Sequence, residues 1–144
     1  MDVIKFGLME LAHDADSNML SAQWSDDLSV ESAQFLQSIV YLFKVVQERN
    51  VANLVVDSGV PAGGVLTEEV LHYFVKHISN TPLQKIAILE SPDYLWDNNL
   101  YQVIQLLISN YQLPIKVKLL KSQADCLEWF SQSWEMLSAN TNPL

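Results

Sequence analysis

The sequence predicts a mixed α/β domain: an N-terminal β-hairpin, a helix, and then three strand-helix units whose strands form a mainly parallel sheet flanked by helices. Three features carry that reading. Apolar and β-branched residues crowd positions 3 to 11, and Leu20, Ala22 and Trp24 alternate with Ser21, Gln23 and Ser25 at the period of a half-buried strand. Three short apolar runs then recur along the chain, each followed by apolar residues at helical spacing. The 144 residues, 49% of them hydrophobic, suffice for one core of single-domain size.

Between the two N-terminal runs, His13-Asp14-Ala15-Asp16-Ser17-Asn18 supplies turn-forming residues, so the runs are expected to close as one hairpin. Phe35, Leu36, Ile39, Val40, Phe43 and Val46 mark a first helix, with Ser29 as its expected N-cap, Glu31 in its first turn and an end near Asn50. Asn53 to Asp57 reads as a buried strand entering the loop Ser58-Gly59-Val60-Pro61-Ala62-Gly63-Gly64. Thr67 then caps a second helix, in which Glu68 and Glu69 complement the positive end and Val70, Leu71, Phe74, Val75 and Ile78 form the buried face. After Thr81-Pro82 come a strand from Lys85 to Leu89, a loop from Glu90 to Asn98, a helix from about Leu100 to Tyr111 and, past Pro114, a strand from Ile115 to Leu120. Ser122 and Asp125 stand at capping-box spacing before the last helix, whose apolar face is expected to hold Cys126, Leu127, Trp129 and Phe130. Residues 1–137 are expected to form one domain, with 138–144 a frayed tail.

Charge and cysteine content narrow the function classes. Eight Lys plus Arg against seventeen Asp plus Glu give a net charge of -9, which repels phosphate backbones and anionic lipid surfaces, so no nucleic-acid partner is expected. One cysteine, Cys126, cannot form an intramolecular disulfide. Met1-Asp2-Val3-Ile4-Lys5-Phe6 does not read as a signal peptide, and no apolar run is long enough to insert into a membrane, so a cytoplasmic protein is expected.

The order of these elements, with its particular residues, resembles the STAS-like family, which contains the bacterial anti-sigma-factor antagonists, and especially its SpoIIAA-like branch. The landmarks are Leu20-Ser21-Ala22-Gln23-Trp24, the long helix after Ser29, the strands Leu54-Val55-Val56-Asp57 and Lys85-Ile86-Ala87-Ile88-Leu89, and the ending Asp125-Cys126-Leu127-Glu128-Trp129-Phe130. That ending is similar to the branch's acid-Ala-Leu-x-Trp-Leu close. The resemblance implies a regulatory module that contacts proteins. It also implies, as an alternative, a carrier of an apolar ligand, because the branch lies near lipid-carrying domains of related fold. The founding members are switched by phosphorylation of a Ser in an Asp-Ser-Ser-Gly-like turn at a helix N-terminus. Here Asp57-Ser58-Gly59 is similar in composition but follows its strand too early, and Thr67 stands near the matching place without that context.

The remaining constellations favour structure over chemistry. Asp14-x-Asp16-x-Asn18 copies the opening of a calcium loop, but Met19 and Ser25 hold the places where that loop needs a Gly and a bidentate acid, so a hairpin turn is expected. His72 and His77 are five apart and do not share a helix face as zinc ligands at i, i+4 do; no metal is expected, and His13 in the turn has no evident partner. The usual catalytic and cofactor signatures are absent, so neither catalytic residues nor a cofactor are expected. Cys126 reads as a small core residue whose thiol the neighbouring Asp125 would raise in pKa.

In open α/β sheets ligands collect at the carboxyl ends of the strands, so two segments become candidate contact sites. One is the loop with Asp57, Ser58 and Gly59 that ends at Thr67; the other carries the large amphipathic side chains of Tyr94 and Trp96. The third helix is unusual, since no residue from Asn98 to Ile115 is charged and its polar stripe is Gln102, Gln105, Ser109 and Gln112. Either that helix is packed on both sides within the domain, or its outer face meets a second subunit, a partner or a lipid. The expectation is therefore a non-enzymatic interaction module, a homodimer or a contact for another protein, with a small apolar ligand as the alternative.

Overall fold

Residues 2–25, 28–57, 66–91 and 94–132 are described by the computed structural model, 94–96 as backbone only. Six strands form one sheet in the order β1-β2-β3-β4-β5-β6: β1 (Asp2–Phe6), β2 (Met9–Asp14), β3 (Met19–Trp24), β4 (Asn53–Asp57), β5 (Lys85–Leu89) and β6 (Lys116–Leu120). The first three are antiparallel neighbours, and β3 through β6 are parallel. The sheet is thus mixed and mainly parallel, as the periodicity predicts. One detail differs. The expected single run over 3 to 11 is broken at Gly7, whose φ of 57° opens a two-residue turn that folds β1 back on β2, so three strands stand where a hairpin was expected.

The polar turn between β2 and β3 behaves as turn chemistry. Asp14 Oδ1 accepts from the Asp16 N–H at 3.1 Å, Asn18 takes the left-handed conformation, and its side chain accepts from the Ala52 N–H at 3.1 Å, tying the turn to the start of β4. His13, expected in that turn, instead pairs with Leu20 inside the β2–β3 ladder and is buried. Its Nδ1 lies 3.2 Å from Arg49, which also binds Asp2 at 2.8 Å, so the expectation of a partnerless histidine fails.

Four helices follow: α1 (Ala33–Glu48), α2 (Glu68–His77), α3 (Tyr94–Tyr111) and α4 (Gln123–Ser131). Thr67 and Ser122 cap α2 and α4, accepting from the N–H groups of Val70 and Asp125. The cap of α1 is Ser32, one turn later than expected. It accepts from the Phe35 N–H, while Ser29 accepts from Glu31 and shapes the turn before it. α1 and α3 end alike, with Asn50 and Gln112 at positive φ, and the next N–H reaches back to Val46 and Ile108. α3 begins at Tyr94 rather than near Leu100, because the carboxylate of Asp97 in its first turn accepts both the N–H and the hydroxyl of Ser91 and draws the entering chain into the helix.

Strand alternation assigns the two sheet faces. Leu20, Leu54, Ile86 and Val117 line up across β3 to β6, as do Ala22, Val56, Ile88 and Leu119, and these rows carry the main core with α1, α2 and α3. On the opposite face Met19, Val55 and Ala87 pack with Cys126 and Trp129 of α4. Leu127, expected in that contact, is exposed: the i, i+3, i+4 set 126, 129 and 130 faces the sheet and turns 127 outward. Because every crossover from β3 to β6 advances in the same direction, the parallel strands have no point where their order reverses.

Candidate functional site

Among the described residues, open space lies between the sheet and the three helices. α1 and α2 pack against each other through Phe43, whose ring meets Tyr73 and Phe74 edge-on, whereas α3 rests on β5 and β6. Where the three meet, an apolar cavity of about 90 Å³ remains. Trp24, Leu54, Val56 and Ile86 form its floor. Its walls come from Phe35 and Leu42 on α1, Leu66 and Val70 at the start of α2, and Leu100, Val103 and Ile104 on α3. Among the described residues no polar atom contributes to the wall.

Trp24 is fixed there by a buried pair of hydrogen bonds. Its Nε1–H donates to Ser38 Oγ at 2.8 Å, and the Ser38 hydroxyl donates to the Phe35 carbonyl at 2.6 Å. The indole's polar edge is satisfied by α1, leaving its apolar surface for the cavity. Next to it, a cleft of about 160 Å³ opens between the β1–β2 turn and α1, bounded by Phe6, Gly7, Leu8, Gln34, Gln37 and Ser38. Leu28 lines both spaces.

The residues expected to make contacts are only partly brought together. Val56 points into the cavity, so alternation turns Asp57 to the α4 face, where its charge helps to raise the Cys126 thiol. Thr67 sits at the cavity rim as the cap of α2, between the lining residues Leu66 and Val70. Ser58 and Gly59 lie outside the described residues, as do the side chains of Tyr94 and Trp96 and the expected tail at 138–144. Tyr94 and Trp96 are placed on the first turn of α3 rather than in a loop.

Compared with protein-family models, curated proteins and solved structures, the chain matches none. Among the described residues no three His, Cys, Asp or Glu side chains are grouped to hold a metal ion, and His77 stacks on Tyr73 with ring centres 4.2 Å apart. No helix among them is long and apolar enough to cross a membrane. Cys126 is buried, and burial, then Asp125, then Asp57 push its thiol up from the ordinary range, the opposite of what a nucleophilic thiolate requires.

Two buried ionisable residues were not singled out by sequence reasoning. Lys85 is 3% exposed, and its ammonium donates to the carbonyls of Trp129 (2.9 Å), Phe130 and Gln132, closing the C-terminal end of α4. Asp97 is fully buried, and its Oδ1 has no hydrogen-bond partner among the described residues. A lysine opening the run Lys85-Ile86-Ala87-Ile88-Leu89 was a visible signal for the first. For the second there was only an acid near a helix start.

Proposed function

We propose that the protein is a non-catalytic binding module, of the STAS-like type that its sequence resembles, whose ligand is a small apolar molecule held between the sheet and α1, α2 and α3. The cavity carries this reading. Its wall, among the described residues, is apolar throughout, as a site for a small apolar molecule requires. A bound apolar molecule would gain dispersion contacts with that wall, and the gain would appear as ligand-dependent stability. The test is titration with benzene, followed by the Trp24 indole N–H in nitrogen-edited NMR spectra and by the melting temperature. The indole signal is expected to shift saturably and the protein to melt higher, and both effects should vanish in Val103→Phe, which fills the space from α3. If wild type and Val103→Phe respond alike, the cavity is not the binding site.

A second reading is favoured by a separate observation. The outer face of α3 is exposed and uncharged, with Leu106 60% and Tyr111 59% accessible. In that reading the module meets a second copy of itself or another protein through this face.

A further inference from the structure

We infer that the ligand is an uncharged amphiphile, with an aliphatic tail in the apolar cavity and a hydroxyl- or amide-type head in the neighbouring cleft. This rests on the cavity being a binding site. It goes further by assigning a chemical class to the ligand and a passage through which it lies.

The two spaces share a side chain. Leu28 forms part of both walls, and Trp24, on the cavity side, is bonded through Nε1 to Ser38, whose side chain lines the cleft. On the cleft side, Phe6 and Leu8 present partly exposed apolar surface, and Gly7, at φ 57° with no neighbouring atom near where a side chain would stand, leaves the cleft open. The polar groups there are Gln34 and Gln37 on the exposed side of α1, together with Ser38. Ser38 is already engaged, accepting from Trp24 and donating to Phe35, so the two carboxamides are the groups left to receive a head group.

Those carboxamides both donate and accept, which matches a hydroxyl or an amide. A carboxylate would fare badly. Among the described residues no charged side chain lines either space, and the chain's own charge is -9, so an anionic head would lose water without gaining a counter-charge. Size limits the tail. The cavity, of about 90 Å³, takes the end of the chain, and the remainder lies along Leu28 towards the glutamines.

The experiment compares benzene, 1-hexanol and hexanoate at pH 7 by the shift of the Trp24 indole N–H. For wild type, 1-hexanol is expected to bind at least ten-fold more tightly than hexanoate. Gln34→Ala with Gln37→Ala should weaken 1-hexanol several-fold and leave benzene unchanged, since both residues are exposed and neither lines the apolar cavity. Gln37→Lys should raise hexanoate affinity towards that of 1-hexanol. Equal binding of the alcohol and the carboxylate by wild type, or an alcohol affinity unmoved by the double alanine change, overturns the head-group assignment while benzene binding keeps the cavity reading. Failure of all three probes to bind overturns both.

Discussion

Lys85 stands where a sheet face made of Met19, Val55 and Ala87 would otherwise be apolar, and beside it across the ladder is a second cation, Lys116. Three backbone carbonyls at the end of α4 take the place of water around the ammonium. Lys85→Met should therefore lower stability at pH 7 by about 1–3 kcal/mol, the usual penalty for buried carbonyls left without a donor, with α4 losing order first. Burial, and then the Lys116 charge, hold the Lys85 pKa below its ordinary 10.5. Between that lowered value and 10.5 the unfolded chain binds more protons than the folded one, so this residue's contribution rises with pH. Urea unfolding at pH 7 and pH 10 should show wild type gaining on Lys85→Met. A gap that narrows with rising pH would mean that the charge itself stabilises the fold.

At the scale of elements, helix starts separate local information from context. Thr67 and Ser122 are where sequence reasoning puts them, because a cap needs only its own side chain and an N–H three residues on. For α1 two serines compete, Ser29 accepting from an amide two residues on and Ser32 from one three residues on. Ser32 prevails, since its hydroxyl reaches the Phe35 N–H while also donating to the Ser29 carbonyl at 2.7 Å, and the turn from Ser29 thereby becomes the approach to the helix. Ser32→Ala should cost about 1 kcal/mol in chemical denaturation, with Ser29→Ala clearly smaller. The reverse order would place the functional cap at Ser29. α3 shows the same limit, because its first turn depends on Asp97 reaching back to Ser91, a contact that apolar periodicity does not encode.

For the whole molecule, charge is unevenly spread. α1, α2 and α4 expose Lys44 and Glu48, Glu68 and Glu69, and Asp125 and Glu128, whereas the single charge on α3, Asp97, is fully buried. Of the two arrangements open to an uncharged helix, packing on both sides is overturned: Gln102, Gln105, Ser109 and Gln112 are all exposed. That face is where two chains of charge -9 can approach with least repulsion. Light scattering at high protein concentration is expected to show a concentration-dependent dimer that Leu106→Glu returns to monomer, with the circular dichroism spectrum unchanged. A wild type that stays monomeric throughout sinks this reading.

The sequence by itself determined the alternation of strands and helices, the parallel β3 to β6 core, the caps at Thr67 and Ser122 and the burial of Cys126, since each follows from periodicity or from groups a few residues apart. It missed the break at Gly7, because one glycine in an apolar run does not reveal which way the chain turns. Only the tertiary structure decided which side chains meet: His13 with Arg49, Lys85 with the end of α4, and Trp24 with Ser38. It alone decided the cavity. Periodicity says which face of each helix turns inward, but the space left between three inward faces depends on how far apart the sheet holds them, and no single segment carries that distance.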